Sequence, residues 1–176
     1  MQNIAMQNLL TRRSIRNYKT DPVPADVFDR ILEAGTYAPN GMGKQSAIIL
    51  AITDKEVRDE LSRINAEICG KPDSDPFYGA PVVLVVLADR AVASYVEDGA
   101  LVMGNLLNAA HAEGLGSCWI HRARQEFETE YGKALLKQLG IKGDYVGIGH
   151  CILGYIAGDY PATPPVSYTH LTLPTT

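Results

Sequence analysis

The sequence predicts a single domain in which helices and strands are intermixed, and three observations support this prediction. The chain has 176 residues, the usual size of one domain. Its composition, 46% hydrophobic and 20% charged, is that of a globular protein with a buried core and excludes wholesale disorder. Segments with helical periodicity alternate along the chain with short runs rich in β-branched residues.

The first two predicted helices lie in the N-terminal part of the chain. Residues 5–12 are predicted as one helix. Pro22 and Pro24 then introduce a segment that ends at Gly35. Its hydrophobic residues fall on one helical stripe, which predicts an amphipathic helix. These residues are Val27, Phe28, Ile31 and Leu32.

Three more helices are predicted further along the chain. Asp54 can cap a helix whose hydrophobic residues recur every three or four positions as far as Ile68. Residues 94–113 are apolar on much of their circumference, which indicates a helix buried on more than one side. This helix would be the spine of the domain or of a dimer interface. Residues 125–139 are predicted as one continuous helix.

Four runs are predicted as strands, because they are short, apolar and bounded by turn-forming residues. They are residues 45–53, 81–89, 117–121 and 145–155. The longest apolar stretch, residues 80–88, is far shorter than a membrane span.

The net charge and the cysteine content indicate which binding partners and which cellular compartment to expect. The net charge of −4 gives no basic surface for sequence-independent nucleic-acid binding, so an anionic ligand would need a local basic cluster. Cys69, Cys118 and Cys151 are too few and too scattered for a disulfide framework and fit a reducing compartment. With no apolar leader and no membrane span, we expect a soluble cytoplasmic protein without nucleic-acid or membrane partners.

A basic cluster of this kind occurs at residues 12–16, Arg-Arg-Ser-Ile-Arg. Guanidinium groups match phosphate oxygens bidentately, and the Ser14 hydroxyl would add a donor. The alternative is a solvated helix end whose cations lie near the negative end of the helix dipole. The residue types alone leave both interpretations open.

Two other motifs invite a functional interpretation but do not require one. The turn-rich loop at residues 38–45 could present backbone and amide groups to a ligand, although a plain connector is the better interpretation of the loop alone. Cysteine and histidine occur at residues 118, 121, 150 and 151, without the paired spacing of a zinc site. We therefore predict no metal site, and Cys118 is better interpreted as a buried small hydrophobe than as a nucleophile.

Four short blocks are weak individually but fairly specific in combination. They are Arg-Arg-Ser-Ile-Arg at 12–16, Ala-Pro-Asn-Gly-Met at 38–42 with Gln45, Asp-Pro-Phe-Tyr-Gly-Ala-Pro at 75–81, and Gly-Leu-Gly-Ser-Cys-Trp-Ile at 114–120. In this order and spacing the chain resembles the nitroreductase family of FMN-dependent oxidoreductases, from about residue 8 to residue 165.

The resemblance implies a fold and an assembly. The expected fold is an α+β, three-layer α/β/α sandwich around a mostly antiparallel sheet. Residues 1–165 would form the FMN-binding domain, and residues 166–176 an unstructured or non-native tail. Two copies would intertwine as a homodimer, with each of two FMN sites built from both subunits.

The resemblance also implies which residues would contact FMN. The phosphate, the ribityl chain and the pyrimidine edge would be contacted by Arg12, Arg13, Ser14 and Arg16. A loop that reaches the flavin held mainly by the other subunit corresponds to Pro39, Asn40, Gly41, Met42 and Gln45. Asn65 matches an asparagine that bonds the flavin ring. The strand whose backbone passes the flavin N5 atom corresponds to Trp119, Ile120 and His121.

The activity implied is transfer of hydride from NADH or NADPH, through flavin N5, to a nitroaromatic, a quinone or a similar conjugated acceptor in a ping-pong cycle. The flavin performs the redox step, so no protein side chain is predicted as a catalytic residue.

The C-terminal segment departs from the family pattern. Residues 162–176 contain no Asp, Glu, Lys or Arg and are predicted to be extended or disordered. Family members usually carry a basic pair just beyond the region matching Pro164 and Pro165, and Val166 onward supplies none. We expect that the last dozen residues are not native coding sequence. The missing pair motivates an alternative function, a flavin-binding or flavin-sequestering protein without catalysis.

Overall fold

The computed structural model describes residues 3–160, and its elements alternate as the sequence predicts. The helices are α1 (Ile4–Thr11), α2 (Ala25–Thr36), α3 (Lys55–Ile68), α4 (Tyr95–Ala112), α5 (Ala123–Glu128) and α6 (Glu130–Gln138). The strands are β1 (Ala47–Ile52), β2 (Val82–Asp89), β3 (Gly116–Ile120) and β4 (Tyr145–Gly154). Along these described residues, no helix combines the length and hydrophobicity that crossing a membrane requires. The predicted tail, residues 166–176, lies outside them.

The four strands form one antiparallel sheet in the order β1-β2-β4-β3. β2 therefore lies between β1 and β4, and residues 82–88 are all buried. Successive side chains of a strand point to opposite faces, so this unbroken buried run shows that both faces of the sheet are covered.

Helices cover the two faces of the sheet in separate layers. Val83, Val85 and Leu87 pack in one cluster with residues of α3, α5 and α6. Leu84 and Val86 point the other way and pack with residues of α2 and α4. The result is a three-layer α/β/α sandwich, which confirms the predicted α+β class.

The prediction of one continuous helix over residues 125–139 is wrong, because the chain turns at Thr129 between α5 and α6. The backbone of Thr129 is extended, with φ −72° and ψ 163°. Its hydroxyl accepts a hydrogen bond from the Gly132 N–H at 3.2 Å and donates one to the Glu126 carbonyl at 2.6 Å. A Cβ at Gly132 would overlap that carbonyl. A side-chain cap and a glycine contact thus produce a break that hydrophobic periodicity does not reveal.

The buried residues of α4 fall on one broad face, which packs against the sheet and α2, so on the described chain the helix is not buried on more than one side as its composition predicts. Met103 and Leu106 are inaccessible to solvent. Close approach is possible because α2 carries Gly35, where a Cβ would lie 2.7 Å from Leu106. Another part of the α4 surface remains exposed on the described chain and includes Leu101, which is 46% exposed.

Candidate functional site

The basic run at residues 12–16 lies along the free edge of β3. The N–H of Ile15 donates to the carbonyl of Ser117 at 2.9 Å, and Ser14 forms an isolated parallel bridge with Ser117. Ile15 is buried, whereas Ser14 and Arg16 on either side of it are exposed. The hydroxyl of Tyr18 donates to the Ile15 carbonyl at 2.5 Å. Ile15 therefore anchors the run, and its polar neighbours point outward.

The polar side of this run lines an open cavity of about 570 Å³. Arg12, Arg13, Ser14 and Arg16 all contribute to it, together with Asp159. Within residues 3–160, none of the three arginines forms an ion pair with a carboxylate. Three guanidinium groups without carboxylate partners fit a phosphate group, whose oxygens accept several charge-assisted hydrogen bonds. The structure thus favours the anion site over the solvated helix end.

His111 in the last turn of α4 responds to this charge. Its Nε2 lies 2.8 Å from the Thr11 hydroxyl oxygen. Because that hydroxyl donates to the Gln7 carbonyl, it accepts from His111, so Nε2 carries the proton. Burial, followed by the charges of Arg12 and Arg13, lowers the pKa of His111 below its ordinary value. The two guanidinium groups thus act on His111 as a local positive charge, in addition to its burial.

The loop at residues 38–45 is held in an unusual backbone conformation. Met42 and Gln45 have positive φ angles of 52° and 50°, which residues other than glycine seldom adopt. The Gln45 N–H donates to Asn40 Oδ1 at 2.9 Å. Pro39 and Met42 are exposed, and Met42 is 87% exposed. The loop therefore projects an apolar side chain away from the rest of the described chain.

Asp98, in the first turn of α4, accepts hydrogen bonds from groups in and next to this loop. Its carboxylate accepts from the Gly41 N–H at 2.8 Å, from the Ser46 hydroxyl at 2.6 Å and from the Ser94 hydroxyl at 3.2 Å. Asp98 is 2% exposed. Burial raises its pKa, but the hydrogen bonds from Ser46, Gly41 and Ser94 outweigh burial and lower the pKa below its ordinary value. Sequence reasoning missed Asp98, although an acidic residue in the first turn of an apolar helix was a visible signal.

The predicted flavin-contacting strand ends at the same edge of the sheet. Trp119 is 37% exposed and lies over Gly149 of β4, where a Cβ would overlap the indole. Ile120 is buried and His121 is exposed, so the two side chains point in different directions. Trp119 and His121 both line a cavity of about 410 Å³, which residues of α4 and β4 also border.

Asn65 lies beneath this segment, where its side chain bonds other parts of the same chain. It is wholly buried; its Nδ2 donates to the His121 carbonyl at 2.9 Å, and its Oδ1 accepts from Arg122 Nε at 2.9 Å. Arg122 has a φ of +79°, a conformation that costs a non-glycine residue on the order of 1–3 kcal/mol. Among residues 3–160, the N–H groups of His121 and Arg122 have no acceptor. Asn65 thus holds the His121 carbonyl, while the N–H groups of His121 and Arg122 remain without an acceptor among the described residues.

The structure brings together only some of the predicted site residues. The bridge between Ser14 and Ser117 places the arginine run beside β3, but the run and residues 119–122 line different cavities. The loop at residues 38–45 borders a different cavity, of about 530 Å³, between α2, β1 and α4. The described chain therefore presents three separate groups of candidate residues.

The cysteines and histidines considered for zinc do not converge. Cys118 packs in the cluster with α3, α5 and α6, and Cys151 packs in the cluster on the opposite face of the sheet. His150 is wholly buried, whereas His121 is exposed. Over the described range of the chain, no three potential ligands are grouped around a metal position.

A three-layer α+β fold with a cation-lined cavity at the sheet edge suits a flavin-dependent oxidoreductase. The model of the Nitroreductase family matches residues 9–155, and the chain belongs to this family. The resemblance found in the four blocks is thereby confirmed.

Named relatives agree with the family assignment. Proteins from Methanothermobacter thermautotrophicus and Archaeoglobus fulgidus carry the provisional name NADH dehydrogenase/NAD(P)H nitroreductase. They are 27% identical over 118 residues and 29% identical over 155 residues. The alignments cover 65% and 85% of this chain, and 59% and 84% of the relatives. The FMN reductase [NAD(P)H] of Bacillus subtilis is 33% identical over 87 residues, which are 49% of this chain and 32% of that protein.

Solved structures confirm the fold. A nitroreductase with bound FMN from Bacteroides fragilis superposes with a TM-score of 0.87 at 27% identity, over 98% of this chain and 99% of that chain. The relatives' names and the bound FMN of this neighbour confirm the predicted class, an FMN-dependent NAD(P)H oxidoreductase.

Replacing the Asp98 carboxylate tests its part in holding the loop. Because the folded pKa is lower than the unfolded value near 3.8, its stabilisation is complete above that value and is lost as the pH falls through the folded pKa. Asp98→Asn should lower the free energy of unfolding by about 2 kcal/mol at neutral pH, since charge-assisted bonds are lost. It should also reduce the dependence of stability on acid.

The measurement is urea unfolding between about pH 3 and about pH 7, the range over which carboxylates titrate. Asp29→Asn, at an exposed position in α2, is the matched control and should behave as the unaltered protein does. An Asp98→Asn protein that keeps the original stability and acid dependence would show that the carboxylate does not hold the loop.

Proposed function

We propose that this chain reduces a nitroaromatic, a quinone or a similar conjugated acceptor at the expense of NADH or NADPH, with FMN as its resident cofactor. The observation that carries the proposal is the set of three arginines without carboxylate partners, beside the strand β3 that leads to the free donors of residues 121 and 122. When bound, FMN supplies the redox chemistry by taking hydride at N5 and giving it to the acceptor, which accounts for a ping-pong cycle.

The arginine run would hold the cofactor. Arg12, Arg13 and Ser14 would donate to the phosphate and ribityl oxygens, as the outward direction of this segment allows. Arg16 would lie at the pyrimidine edge, where a cation stabilises the negative charge that develops on reduction. Anchoring by the buried Ile15 keeps these donors in place before the cofactor arrives.

Residues 119–122 would orient the ring. The His121 carbonyl is held by the buried Asn65, and the N–H groups of His121 and Arg122 have no acceptor among the described residues, so they are available to donate toward the ring edge that carries N5. Trp119 and His121 are exposed at this point and would border the ring. In this proposal Asn65 acts through the backbone that it holds, because its own amide is buried.

A homodimer would complete the site with the loop at residues 38–45 of the second subunit. The loop and the arginine run do not share a cavity within one subunit. α1 is apolar yet carries no buried residue, and on it Leu9 and Leu10 are 55% and 63% exposed. A helix of this kind is typical of a surface that another protein covers. Leu101 of α4 is exposed as well.

The cytoplasm is the compartment that the cysteines favour. Cys69, Cys118 and Cys151 are all free thiols, which agrees with a reducing environment. Cys118 is 1% exposed, so it packs in the core and is not positioned to act as a nucleophile.

Visible absorption tests the proposed activity directly. The purified protein, supplied with FMN, should show flavin bands that bleach on anaerobic addition of NADH or NADPH. The bands should return when a nitroaromatic or a quinone is added, because the two half-reactions of a ping-pong cycle are separable. Bound flavin that is not bleached would instead favour flavin sequestration, and a protein that never binds FMN would contradict both functions.

Arg16→Ala tests the role of the arginine run. Loss of one charge-assisted interaction of roughly 1.5–3 kcal/mol should weaken FMN binding about 10- to 100-fold. FMN affinity is measured by titration with the protein and ultrafiltration of free flavin. Lys19→Ala removes a nearby exposed cation that does not line the cavity and should leave the affinity unchanged. Equal losses in the two variants would show that only net charge matters.

Sedimentation equilibrium tests the dimer. Two chains of 19.1 kDa should sediment together at micromolar concentration. Leu101→Glu combined with Leu10→Glu should dissociate them, because two carboxylates would be buried without partners. Leu139→Glu is the matched control, since Leu139 is 52% exposed beyond α6 in the opposite layer. A monomeric unaltered protein would contradict this assembly.

A further inference from the structure

An acidic and a basic side chain meet in the core, where the mechanism above makes no use of them. Glu126 of α5 and His150 of β4 are both wholly inaccessible to solvent, and Glu126 Oε2 contacts His150 Nε2. The Phe77 ring lies 5.1 Å from the His150 ring, centroid to centroid. Within residues 3–160, no other donor reaches the Glu126 carboxylate. The pair is therefore isolated in apolar surroundings.

The number of protons that Glu126 and His150 share determines whether the other imidazole nitrogen, Nδ1, carries a proton. An isolated net charge in the core is very unfavourable, so the pair is neutral overall. Either a histidinium faces a carboxylate, or a protonated Glu126 donates to Nε2 of a neutral imidazole. In both cases His150 Nδ1 carries a proton. Nδ1 lies 3.3 Å from the Ile120 carbonyl oxygen, so it donates to that oxygen.

A contribution to stability does not explain why Glu126 and His150 are paired in the core. A buried ion pair is often no more stabilising than apolar side chains of the same size. Here neither carboxylate oxygen makes a hydrogen bond of ordinary geometry among the described residues, in spite of the close contact with His150, which makes the balance worse. Buried polar groups that break the usual packing rules occur most often where a protein needs them for function.

The contact with Ile120 is adjacent to the one that Asn65 makes with His121. The two buried side chains hold successive carbonyl groups, at Ile120 and at His121, and Arg122 follows in its left-handed conformation. Ile120 is also the last residue of β3 that pairs with β4, opposite His150. We infer that His150 and Glu126 are positioning residues that add a side-chain donor to this last paired carbonyl and so fix where the chain leaves β4, so that residues 121 and 122 present their N–H groups to the flavin. This inference rests on the proposed function of that segment.

The first test concerns the proton on Nδ1 and needs no flavin. Long-range ¹H–¹⁵N correlation spectra of the cofactor-free protein should show a protonated Nδ1 on His150 across neutral pH. Glu126→Gln should keep that proton, because the glutamine amide can donate to Nε2 while Nδ1 still donates to Ile120. An unprotonated Nδ1 in the unaltered protein would overturn the inference.

The second test removes the donor and keeps the packing. Glu126→Leu combined with His150→Phe replaces the pair by apolar side chains, and the double variant should unfold no earlier than the unaltered protein. Its dissociation constant for FMN should rise roughly tenfold, the equivalent of one lost hydrogen bond. Flavin reduction by NAD(P)H should slow as well, and amide exchange at residues 121 and 122 should accelerate.

Ile31→Ala is the control for loss of stability. Ile31 is a buried isoleucine of α2 in the cluster on the opposite face of the sheet from Ile120, so its truncation should lower stability and leave the FMN dissociation constant unchanged. A double variant with the original FMN affinity, reduction rate and amide exchange would overturn the inference. An unaltered protein that does not bind FMN would overturn the proposed function, and a protonated Nδ1 would then support only the hydrogen bond to Ile120.

Discussion

Burial of both faces of β2 is the constraint on which the other elements depend. Its side chains enter two separate clusters, so helices have to pack on both sides of the sheet. Each fully buried valine or leucine contributes roughly 1.5–3 kcal/mol, which makes this strand a large share of the hydrophobic stabilisation. Because β2 pairs with a strand on each side, the sheet has unpaired backbone groups only along its two outer edges. The arginine run lies at one of these edges, where Ser14 and Ile15 bond Ser117 of β3 and Tyr18 bridges to Ile156 beyond β4.

Buried polar side chains give the site its rigidity. Asp98 holds the Gly41 N–H, Asn65 holds the His121 carbonyl and His150 holds the Ile120 carbonyl. In each case a side chain from a regular element fixes the backbone of a loop or of a strand end. Geometry set in this way exists before any ligand arrives, so binding does not have to order the chain.

The sequence was sufficient for the class of the fold and for most of its elements, because periodicity and apolar runs are local signals. β2 and α4 were predicted with nearly their observed bounds for this reason. The break at Thr129 escaped prediction because it depends on one hydroxyl and one glycine contact.

The candidate site was less predictable, since its supporting contacts join distant parts of the chain. The arginine run could be found from residue types, but its lack of carboxylate partners required the fold. Asp98 lies 57 residues from Gly41, and Asn65 lies 56 residues from His121. No local pattern encodes such pairs. The resemblance to a family supplied Asn65 as a candidate, and the structure showed that its amide is bonded within the chain.

The position of Trp119 has a consequence for the optical properties of the molecule. It is the one tryptophan of the sequence, and it lies half-exposed over Gly149 at the edge where the flavin would bind. The indole emission of the protein therefore originates at the candidate site itself. A chromophore that occupied this edge would quench nearly all of that emission, so the chain carries its own fluorescent reporter of occupancy.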